Sequence, residues 1–379
     1  MPNVRRRRVV LAAALAAGAL LSGSAVAARP AKAPHPHGPA PLLFAPNFSS
    51  NVMSVFDLST NKLVKHIDVQ AKGPCCAHVT NDGKTLMVVD GFSPYVTTVD
   101  VGSLSVRRIT RIGDTIGDIG SDIQRDDRTF YANDLPNGNV YRVDIASGAV
   151  QRTYPNLGHF FVSRDGRTIY SANPASTSSS QVDSWSAATG EHLGTVNTSG
   201  GSTLMMLPDD RHLYVQGNDI DVLDVSDPAH MTKVRTIPVG TGGWVGQLTP
   251  DGGQYWIPGQ DDGQVTVVDT RLSKVVAHIP LGAYGGGIDF SRNGRAYVAV
   301  SNQPLAPVPN TALAFSYLGV APGAALGIPS TTYRPGVDPP GEIYVFDTRT
   351  YRRIETPPMK MPSISFVLQV VDNPPRARR

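Results

Sequence analysis

The chain repeats a phrase of roughly 45 residues along almost its whole length, and such a repeat constrains the fold more than composition does. Each copy contains an alternating apolar strand, an Asp-Gly turn, a Tyr-containing strand and a strand that ends in Val-Asp or Phe-Asp. The strand ends are Phe56-Asp57, Val99-Asp100, Val143-Asp144, Leu223-Asp224, Val268-Asp269 and Phe346-Asp347, with a degenerate copy at Ser184-Trp185. The turns are Asp82-Gly83, Asp126-Asp127, Asp165-Gly166, Asp209-Asp210, Asp251-Gly252 and Asn293-Gly294. This period predicts a stacked array in which no unit buries its apolar face alone.

Four strand-like segments fill each repeat, because apolar alternation and β-branched residues recur between the turns. The template gives six blades near residues 75–112, 118–154, 159–197, 203–239, 244–281 and 286–356. A seventh blade is split between the chain ends: residues 365–371 provide its first strand and residues 42–47 its second. The sequence therefore predicts an all-β, seven-bladed β-propeller with N-/C-terminal strand closure of the last blade.

The segments outside the repeats divide the rest of the chain. Residues 1–27 have the pattern of a signal peptide, with Arg5 to Arg8, an apolar run to Leu21 and a small-x-small cleavage site that ends at Ala27. The apolar run is too short for a stable membrane span, so no transmembrane segment is expected. This predicts a secreted or periplasmic protein, exported by the Sec or the twin-arginine route. The remaining divisions are a Pro/Ala-rich linker over 28–41, the propeller over 42–373 and a basic tail over 374–379.

A long insertion, residues 303–340, separates the second and third strands of blade six. Its aromatic residues favour a lid across the channel mouth, and the alternative is a flexible loop that does not cover the channel.

Charge argues against one large class of partner. The chain has 34 Lys and Arg against 31 Asp and Glu, a net charge of +3. Residues 1–27 contain four Arg and no acid, so the remainder has 30 basic and 31 acidic residues, or −1. A nearly neutral protein without a basic stripe is not expected to bind nucleic acid. The sequence also lacks a Gly-rich phosphate loop, a His-Glu-x-x-His motif, a nucleophile elbow and a haem-attachment motif.

Several repeat segments resemble the YVTN-type β-propeller repeat. They include residues 51–57, 265–269 and 295–298, together with Pro250-Asp251-Gly252. The resemblance covers nearly all of residues 42–371 and implies a seven-bladed propeller. Related propellers include exported surface proteins, quinoprotein amine dehydrogenase heavy chains, haem d1 domains and sugar lactonases. The resemblance therefore implies a fold without implying one activity or one cofactor.

Propeller connectivity brings two kinds of loop to one face: the links between blades and the loops that join strands two and three. We call this face the top rim, and ligands are expected there because binding residues concentrate on loops over a rigid scaffold. The residues that we predict to bind a ligand are Cys75, Cys76, Asp118, Trp244, Tyr284, Phe92 and Tyr95.

Cys75 and Cys76 are the only cysteines, and they are adjacent. In an exported protein they have no other partner within the chain, so a disulfide between them is predicted. Neighbouring Cα atoms lie about 3.8 Å apart, whereas an ordinary disulfide spans about 4.4–6.8 Å, so the bond would be strained. The pair could act as a rigid turn, as a ligand contact or as two metal-binding thiols.

One repeat position on strand one carries most of the candidate catalytic residues. Five residues before the end of each turn pair lie His78, Asp122, Phe161, Met205, Gln247 and Asp289. His78 and Asp122 could form an acid–base or metal pair, or His78 could be a hydrogen-bonded structural residue. His159 lies two residues earlier in its own blade, nearer the top rim. We predict no metal site.

The leading hypothesis is an exported, monomeric propeller that binds a small molecule or a protein at its top rim. The alternative is an enzyme with its site around Cys75-Cys76 and the channel mouth. It would be either an oxidoreductase with a redox partner or a propeller of the lactonase or lyase kind. The sequence identifies no substrate and no cofactor.

Overall fold

The computed structural model describes residues 40–47, 50, 52–69, 73–90, 93–113, 121–134, 138–172, 181–201, 203–240, 246–259, 262–301 and 340–375. Within these ranges the chain is all-β: seven four-stranded antiparallel sheets form the blades of a propeller, as predicted. Several predicted features lie outside the described residues. They are the signal peptide, the linker up to residue 39, the insertion apart from Pro340, the tail from residue 376, and Phe92, Asp118 and Trp244.

The strands follow the repeat along the chain. The first eleven are β1 (Leu42–Asn47), β2 (Val52–Asp57), β3 (Lys62–Asp68), β4 (Pro74–Val79), β5 (Thr85–Asp90), β6 (Tyr95–Asp100), β7 (Ser105–Arg111), β8 (Ser121–Ile123), β9 (Thr129–Asp134), β10 (Asn139–Asp144) and β11 (Val150–Tyr154). The next eight are β12 (His159–Val162), β13 (Thr168–Ala172), β14 (Gln181–Ser186), β15 (His192–Asn197), β16 (Thr203–Met206), β17 (His212–Gln216), β18 (Ile220–Asp224) and β19 (Thr232–Ile237). The last nine are β20 (Gln247–Leu248), β21 (Gln254–Pro258), β22 (Gln264–Asp269), β23 (Lys274–Pro280), β24 (Tyr284–Ser291), β25 (Arg295–Ser301), β26 (Gly341–Asp347), β27 (Arg353–Met361) and β28 (Gln369–Val371).

Blades one to six are β4–β7, β8–β11, β12–β15, β16–β19, β20–β23 and β24–β27, and blade seven is ordered β28-β1-β2-β3. The middle strands are buried on both faces because each blade is packed between two others; in β22, for example, Val265, Val267 and Val268 are fully buried. The fourth strand of each blade faces solvent, and β3 is exposed at most of its positions. The core is therefore a ring of interfaces between blades.

The paired turn residues have the backbone conformation that their sequence predicts. The second residue of every pair has a positive φ: Gly83, Asp127, Gly166, Asp210, Gly252 and Gly294. Glycine adopts this region without strain, and Asp tolerates it better than most residues do. The Asp that ends strand three caps the following turn, since Asp57 Oδ1 accepts hydrogen bonds from the Ser59 and Thr60 N–H groups at 2.7 and 3.2 Å.

The degenerate copy in blade three is shifted by one residue from its predicted position. Thr168 pairs with Ser186, just as Thr85 pairs with Asp100 in blade one. The pair equivalent to Val-Asp is therefore Trp185-Ser186 rather than Ser184-Trp185. Ser186 takes over the capping role, because its Oγ accepts a hydrogen bond from the Thr189 N–H at 3.2 Å.

The ring closes as predicted, although the strand from the C-terminal part is shorter than expected. Leu42 pairs with Val371, and Phe44 pairs with Gln369, so the two ends of the chain share one sheet. Residues 365–368 were expected in this strand but lie before it. The carbonyl of Ser365 instead accepts the Gly287 N–H of blade six at 2.8 Å, so this segment is bound to the neighbouring blade.

Candidate functional site

The candidate catalytic residues lie at one level of the innermost strands. The structure adds a seventh member that the sequence analysis missed, Gln369 of blade seven, which pairs with Phe44 as His78 pairs with Met87. In the other blades this position was counted back from the turn that follows strand one. The first strand of blade seven is not followed by an Asp-Gly turn, so the sequence offers no reference point there. Around the ring the seven residues are Gln369, His78, Asp122, Phe161, Met205, Gln247 and Asp289.

Three of these side chains bind the backbone of the following blade. Asp289 Oδ2 accepts the Val370 N–H at 2.6 Å, and Gln369 Oε1 accepts the Val79 N–H at 3.2 Å. Asp122 accepts a hydrogen bond from the Val162 backbone in the same way. Each acceptor belongs to one blade, and each donor follows the equivalent position of the next. These side chains therefore connect neighbouring inner strands, a structural role that the sequence analysis did not assign to Asp122.

Burial changes the proton affinity of the ionisable members of the ring. Desolvation raises the pKa of Asp289 and that of Asp122 to about 7, although backbone hydrogen bonds act in the opposite direction. Asp289 is 9% exposed, whereas Asp122 keeps more contact with solvent, so the effect is clearer for Asp289. Burial also lowers the pKa of His78 to about 4, which leaves this imidazole neutral at neutral pH.

His78 and Asp122 occupy neighbouring blades, but no hydrogen bond joins them. In addition to the backbone donors, Asp122 Oδ2 accepts from Gln124 Nε2 at 3.1 Å. The third candidate, His159, is buried as the first residue of β12, at the end of that strand nearest the top rim. The side-chain amide of Asn133 donates to the carbonyl oxygen of Gly158, the residue just before His159, at 2.9 Å. The three candidates thus lie on consecutive blades without forming one bonded constellation.

A second group of predicted residues meets at the top rim. Cys75, Cys76, Phe366 and Leu368 belong to one large buried hydrophobic cluster that extends through blades one, two, six and seven, and the half-buried Tyr284 packs against this cluster. We call these five residues the rim cluster. It joins the inner strands of blades one and six to the segment that enters blade seven, which residue spacing alone does not reveal.

The backbone is irregular on both sides of the rim cluster. In blade one the pairing passes from Pro74–Asp90 to Cys76–Val89, so Cys75 is an extra residue in its strand. In blade six the pairing passes from Gly285–Val300 to Ile288–Val298, so two residues face one. In the other five blades the described residues of strands one and two pair without a shift, and in blades two, four and five the positions equivalent to Cys75 lie outside the described residues. Bulges of this kind redirect side chains and often lie beside functional sites.

Glycines let the segment before blade seven approach blade six. A Cβ atom on Gly286 would lie 2.6 Å from the Ser365 carbonyl oxygen, and one on Gly287 would lie 2.6 Å from backbone atoms of Phe366. Any side chain at these positions would therefore displace Phe366 and its neighbours. The run Gly285-Gly286-Gly287 is thus part of the construction of the rim cluster, and the sequence analysis gave it no such role.

The disulfide predicted between the two cysteines stays a prediction. Both residues are thiols, and the Cys76 Sγ–H group donates to Cys75 Sγ at 3.0 Å. Both side chains are almost fully buried, which leaves a pair of soft donors in an apolar setting.

The remaining predicted binding residue, Tyr95, lies outside the rim cluster. It begins β6, pairs with Arg111 of the outer strand and is 39% exposed. Within the described ranges, no group of three or more His, Cys, Asp or Glu side chains is arranged to hold a metal ion. The same part of the chain contains no helix with the length and apolarity that crossing a membrane would require.

Comparisons with known proteins support the fold. No family model matches the chain, and no curated protein matches it. A functionally unknown protein from Desulfotomaculum acetoxidans has a similar structure, with a TM-score of 0.64 and 14% identity, covering 89% of this chain and 100% of the other. The dihydro-heme d1 dehydrogenase NirN has a TM-score of 0.58 and 12% identity, covering 88% of this chain and 75% of its own.

A hydrazine synthase from Kuenenia stuttgartiensis has a TM-score of 0.57 and 17% identity, covering 69% of this chain and 93% of the other. At these identities the likeness extends to the propeller fold alone. One structural neighbour, the dihydro-heme d1 dehydrogenase NirN, is similar in kind to the haem d1 domains that the sequence resemblance named. Because no family model matches, the YVTN-type repeat remains a resemblance.

Proposed function

We propose that the chain is an exported propeller that binds a ligand or protein partner on its top rim, at the rim cluster. The observation that supports this most directly is the pair of inner-strand bulges on either side of blade seven, one at Cys75 and one at Gly286-Gly287. Each bulge lies in a strand that contributes to the rim cluster, β4 in blade one and β24 in blade six. We infer that the bulges position the rim cluster for its ligand.

The chemistry of the rim cluster indicates what it would bind. Tyr284 is the half-buried member that a ligand can reach, and the buried Phe366 and Leu368 form the apolar and aromatic support behind it. The two cysteine sulfur atoms add soft, polarisable atoms to the same support. Aromatic groups pack well in such a setting, with ring contacts that add to the burial of apolar area. The ligand, or the contacting part of a protein partner, is therefore apolar or aromatic where it meets Tyr284.

Export and a monomeric state belong to the same proposal. Export is supported by the charged, apolar and small-residue order of residues 1–27. The monomer is supported by ring closure, which pairs the strands that a linear array of blades would leave open. Fractionation of cells that express the full-length chain, followed by light scattering on the exported form, tests both points. Retention in the cytoplasm would contradict export, and a stable dimer would contradict the monomer.

The enzyme alternative draws less support from the geometry. Asp122 is engaged with the next blade, and His78 is neutral at neutral pH and makes no hydrogen bond to it. An absorption spectrum and a metal analysis of the natively expressed protein separate the two functions. A bound chromophore or a stoichiometric redox metal would favour the oxidoreductase over the binding protein.

Titration with the neutral fluorescent probe N-phenyl-1-naphthylamine tests the binding proposal. We expect saturable binding to the full-length chain, weakened about fivefold or more in Tyr284→Ala, because the substitution removes an aromatic contact worth about 1 kcal/mol and buried apolar area. Tyr95→Ala is the matched control, since Tyr95 also begins a strand at the top rim but lies outside the rim cluster. Equal affinity in all three proteins, with unchanged thermal unfolding, would reject the rim cluster as the site.

A further inference from the structure

The face opposite the top rim, which we call the bottom face, carries the turns between strands one and two and between strands three and four. A groove of about 840 Å³ lies there between blades five and six. Three arginines line it: Arg271 from blade five, and Arg292 and Arg349 from blade six. Its volume lies within the range of about 300–1,000 Å³ that is typical of sites for small molecules.

The arginines are a departure from the repeat. Arg271 and Arg349 lie two residues after the Asp that ends strand three, in the turn to strand four. The equivalent residues in blades seven, one, two, three and four are Ser59, Gly102, Ala146, Ala188 and Ser226. The turn forms in those blades without an arginine, so the fold does not require Arg271 or Arg349. Only in blades five and six do arginines at this position face each other across a shared groove.

The guanidinium groups make no hydrogen bond to the described residues. Each nevertheless interacts with a carboxylate: hydrogen bonds mainly lower the pKa of Asp251 and that of Asp347, the charges of Arg271 and Arg349 add to this effect, and Arg292 forms a long ion pair with Asp372. Arg271 and Arg349 are exposed, make no side-chain hydrogen bond and lie within ion-pair distance of no carboxylate. Arg292 is 79% exposed, and its Nε is 3.9 Å from Asp372, too far for a hydrogen bond. Three cations with unused N–H donors therefore border one groove.

The two carboxylates of the groove are partly occupied by the turns that they hold. Asp269 Oδ1 accepts the Arg271 and Leu272 N–H groups at 3.0 and 2.8 Å. Asp251 Oδ1 accepts the Thr249 hydroxyl at 2.6 Å and the Gly253 N–H at 3.0 Å. Their placement follows from turn geometry and recurs around the ring, whereas the arginines are particular to this groove.

We propose that this groove binds a small, hydroxyl-rich molecule that carries an oxyanion, namely a sugar phosphate or a sugar acid. Guanidinium groups bind phosphate and carboxylate through paired, charge-assisted hydrogen bonds. The Asn293 side-chain N–H groups and the lone pairs of the Thr348 hydroxyl, whose hydrogen is donated to the Gly294 carbonyl at 3.0 Å, also border the groove and provide neutral partners for sugar hydroxyls. The site is independent of the rim cluster, because it lies on the other face of the propeller.

Isothermal titration calorimetry on the full-length chain tests the proposal with four probes: glucose 6-phosphate, glucuronate, glucose and inorganic phosphate. We expect one of the two anionic sugars to bind in a saturable way and more tightly than either glucose or phosphate. The double variant Arg271→Gln/Arg349→Gln should weaken that binding about tenfold or more, because it removes two charge-assisted contacts. Which anionic sugar binds distinguishes a phosphate ester from a carboxylate.

Arg125→Gln is the matched control. Arg125 is exposed and occupies in blade two the turn position of Arg292 in blade six, but its blade has Ala146 where blade six has Arg349. This variant should keep the wild-type affinity, and Tyr284→Ala should keep it too. Binding that survives in the double variant, glucose that binds as tightly as its anionic derivatives, phosphate that binds as tightly as glucose 6-phosphate, or no binding of any probe would each overturn the proposal.

Discussion

Replacing Asp289 by Asn should change how the stability of the propeller depends on pH. This carboxyl group is almost buried, and its Oδ2 accepts the Val370 N–H at 2.6 Å across the junction between blades six and seven. Burial raises its pKa to about 7 from an ordinary value of 3.8. The folded protein therefore holds the proton more tightly than the unfolded chain does.

The sign of the effect follows from this difference. The stabilisation from proton binding at Asp289 is fully present below pH 3.8 and is lost as the pH rises through 7. Between pH 5 and pH 7 the loss is about 2 kcal/mol for this one group. Asn cannot ionise, so the effect of the substitution on the free energy of unfolding should be about 2 kcal/mol more favourable at pH 7 than at pH 5. Asp122 and His78 titrate equally in both proteins and cancel from the comparison.

Urea unfolding at pH 5, 6 and 7, followed by tryptophan fluorescence at constant ionic strength, gives the required free energies. Asp347→Asn in the same blade is the control. Hydrogen bonds from the backbone and side chain of Thr350 lower the pKa of Asp347, so this group is ionised in both states across the whole range. Its loss should therefore have the same effect at each pH. Parallel pH profiles for the wild type and Asp289→Asn would refute the reasoning about Asp289.

Three further outcomes are expected. Gly286→Ala should lower the free energy of unfolding by about 1–3 kcal/mol, because its Cβ would lie 2.6 Å from a carbonyl oxygen. The control Gly253→Ala has no contact closer than 3.4 Å, so it should change the free energy of unfolding by less than about 0.5 kcal/mol in the same urea assay. Ser186→Asp should raise the thermal midpoint by restoring the carboxylate cap of the other blades, worth about 0.5 kcal/mol, and a lower midpoint would contradict the shifted repeat. Alkylation of the unfolded, unreduced protein should give two adducts by mass spectrometry, at Cys75 and Cys76. The absence of both adducts would show that the two cysteines form a disulfide.

Much of the fold could be predicted from local sequence. Asp-Gly pairs specify a positive φ, and the strand-ending Asp specifies its turn, since both effects act within a few residues. The shift to Trp185-Ser186 escaped notice because a Ser cap has a weaker signature than an Asp cap. The shortening of the closing strand also escaped it, because Ser365 is drawn away by Gly287 of another blade.

The candidate sites were less accessible from sequence. Cys75, Cys76 and Tyr284 could be placed on one rim by connectivity, but no residue pattern indicates the cluster that they share with Phe366 or the bulges beside it. Asp122 looked like a catalytic acid because a buried carboxylate and a structural hydrogen-bond acceptor have the same sequence signature. The bottom groove was missed because Arg271 and Arg349 become neighbours only when their blades are set side by side.

The sequence by itself determined that seven similar sheets close into a ring, because the repeat period and the turn residues are local properties that recur in each copy. Only the tertiary structure decided which residues come together across blades: Asp289 with the Val370 N–H group, Cys75 with Phe366 in one buried cluster, and Arg271 with Arg349 around one groove. The physical reason is that contacts between blades depend on the depth and twist at which neighbouring sheets pack, and that arrangement is set by the whole ring rather than by any one segment.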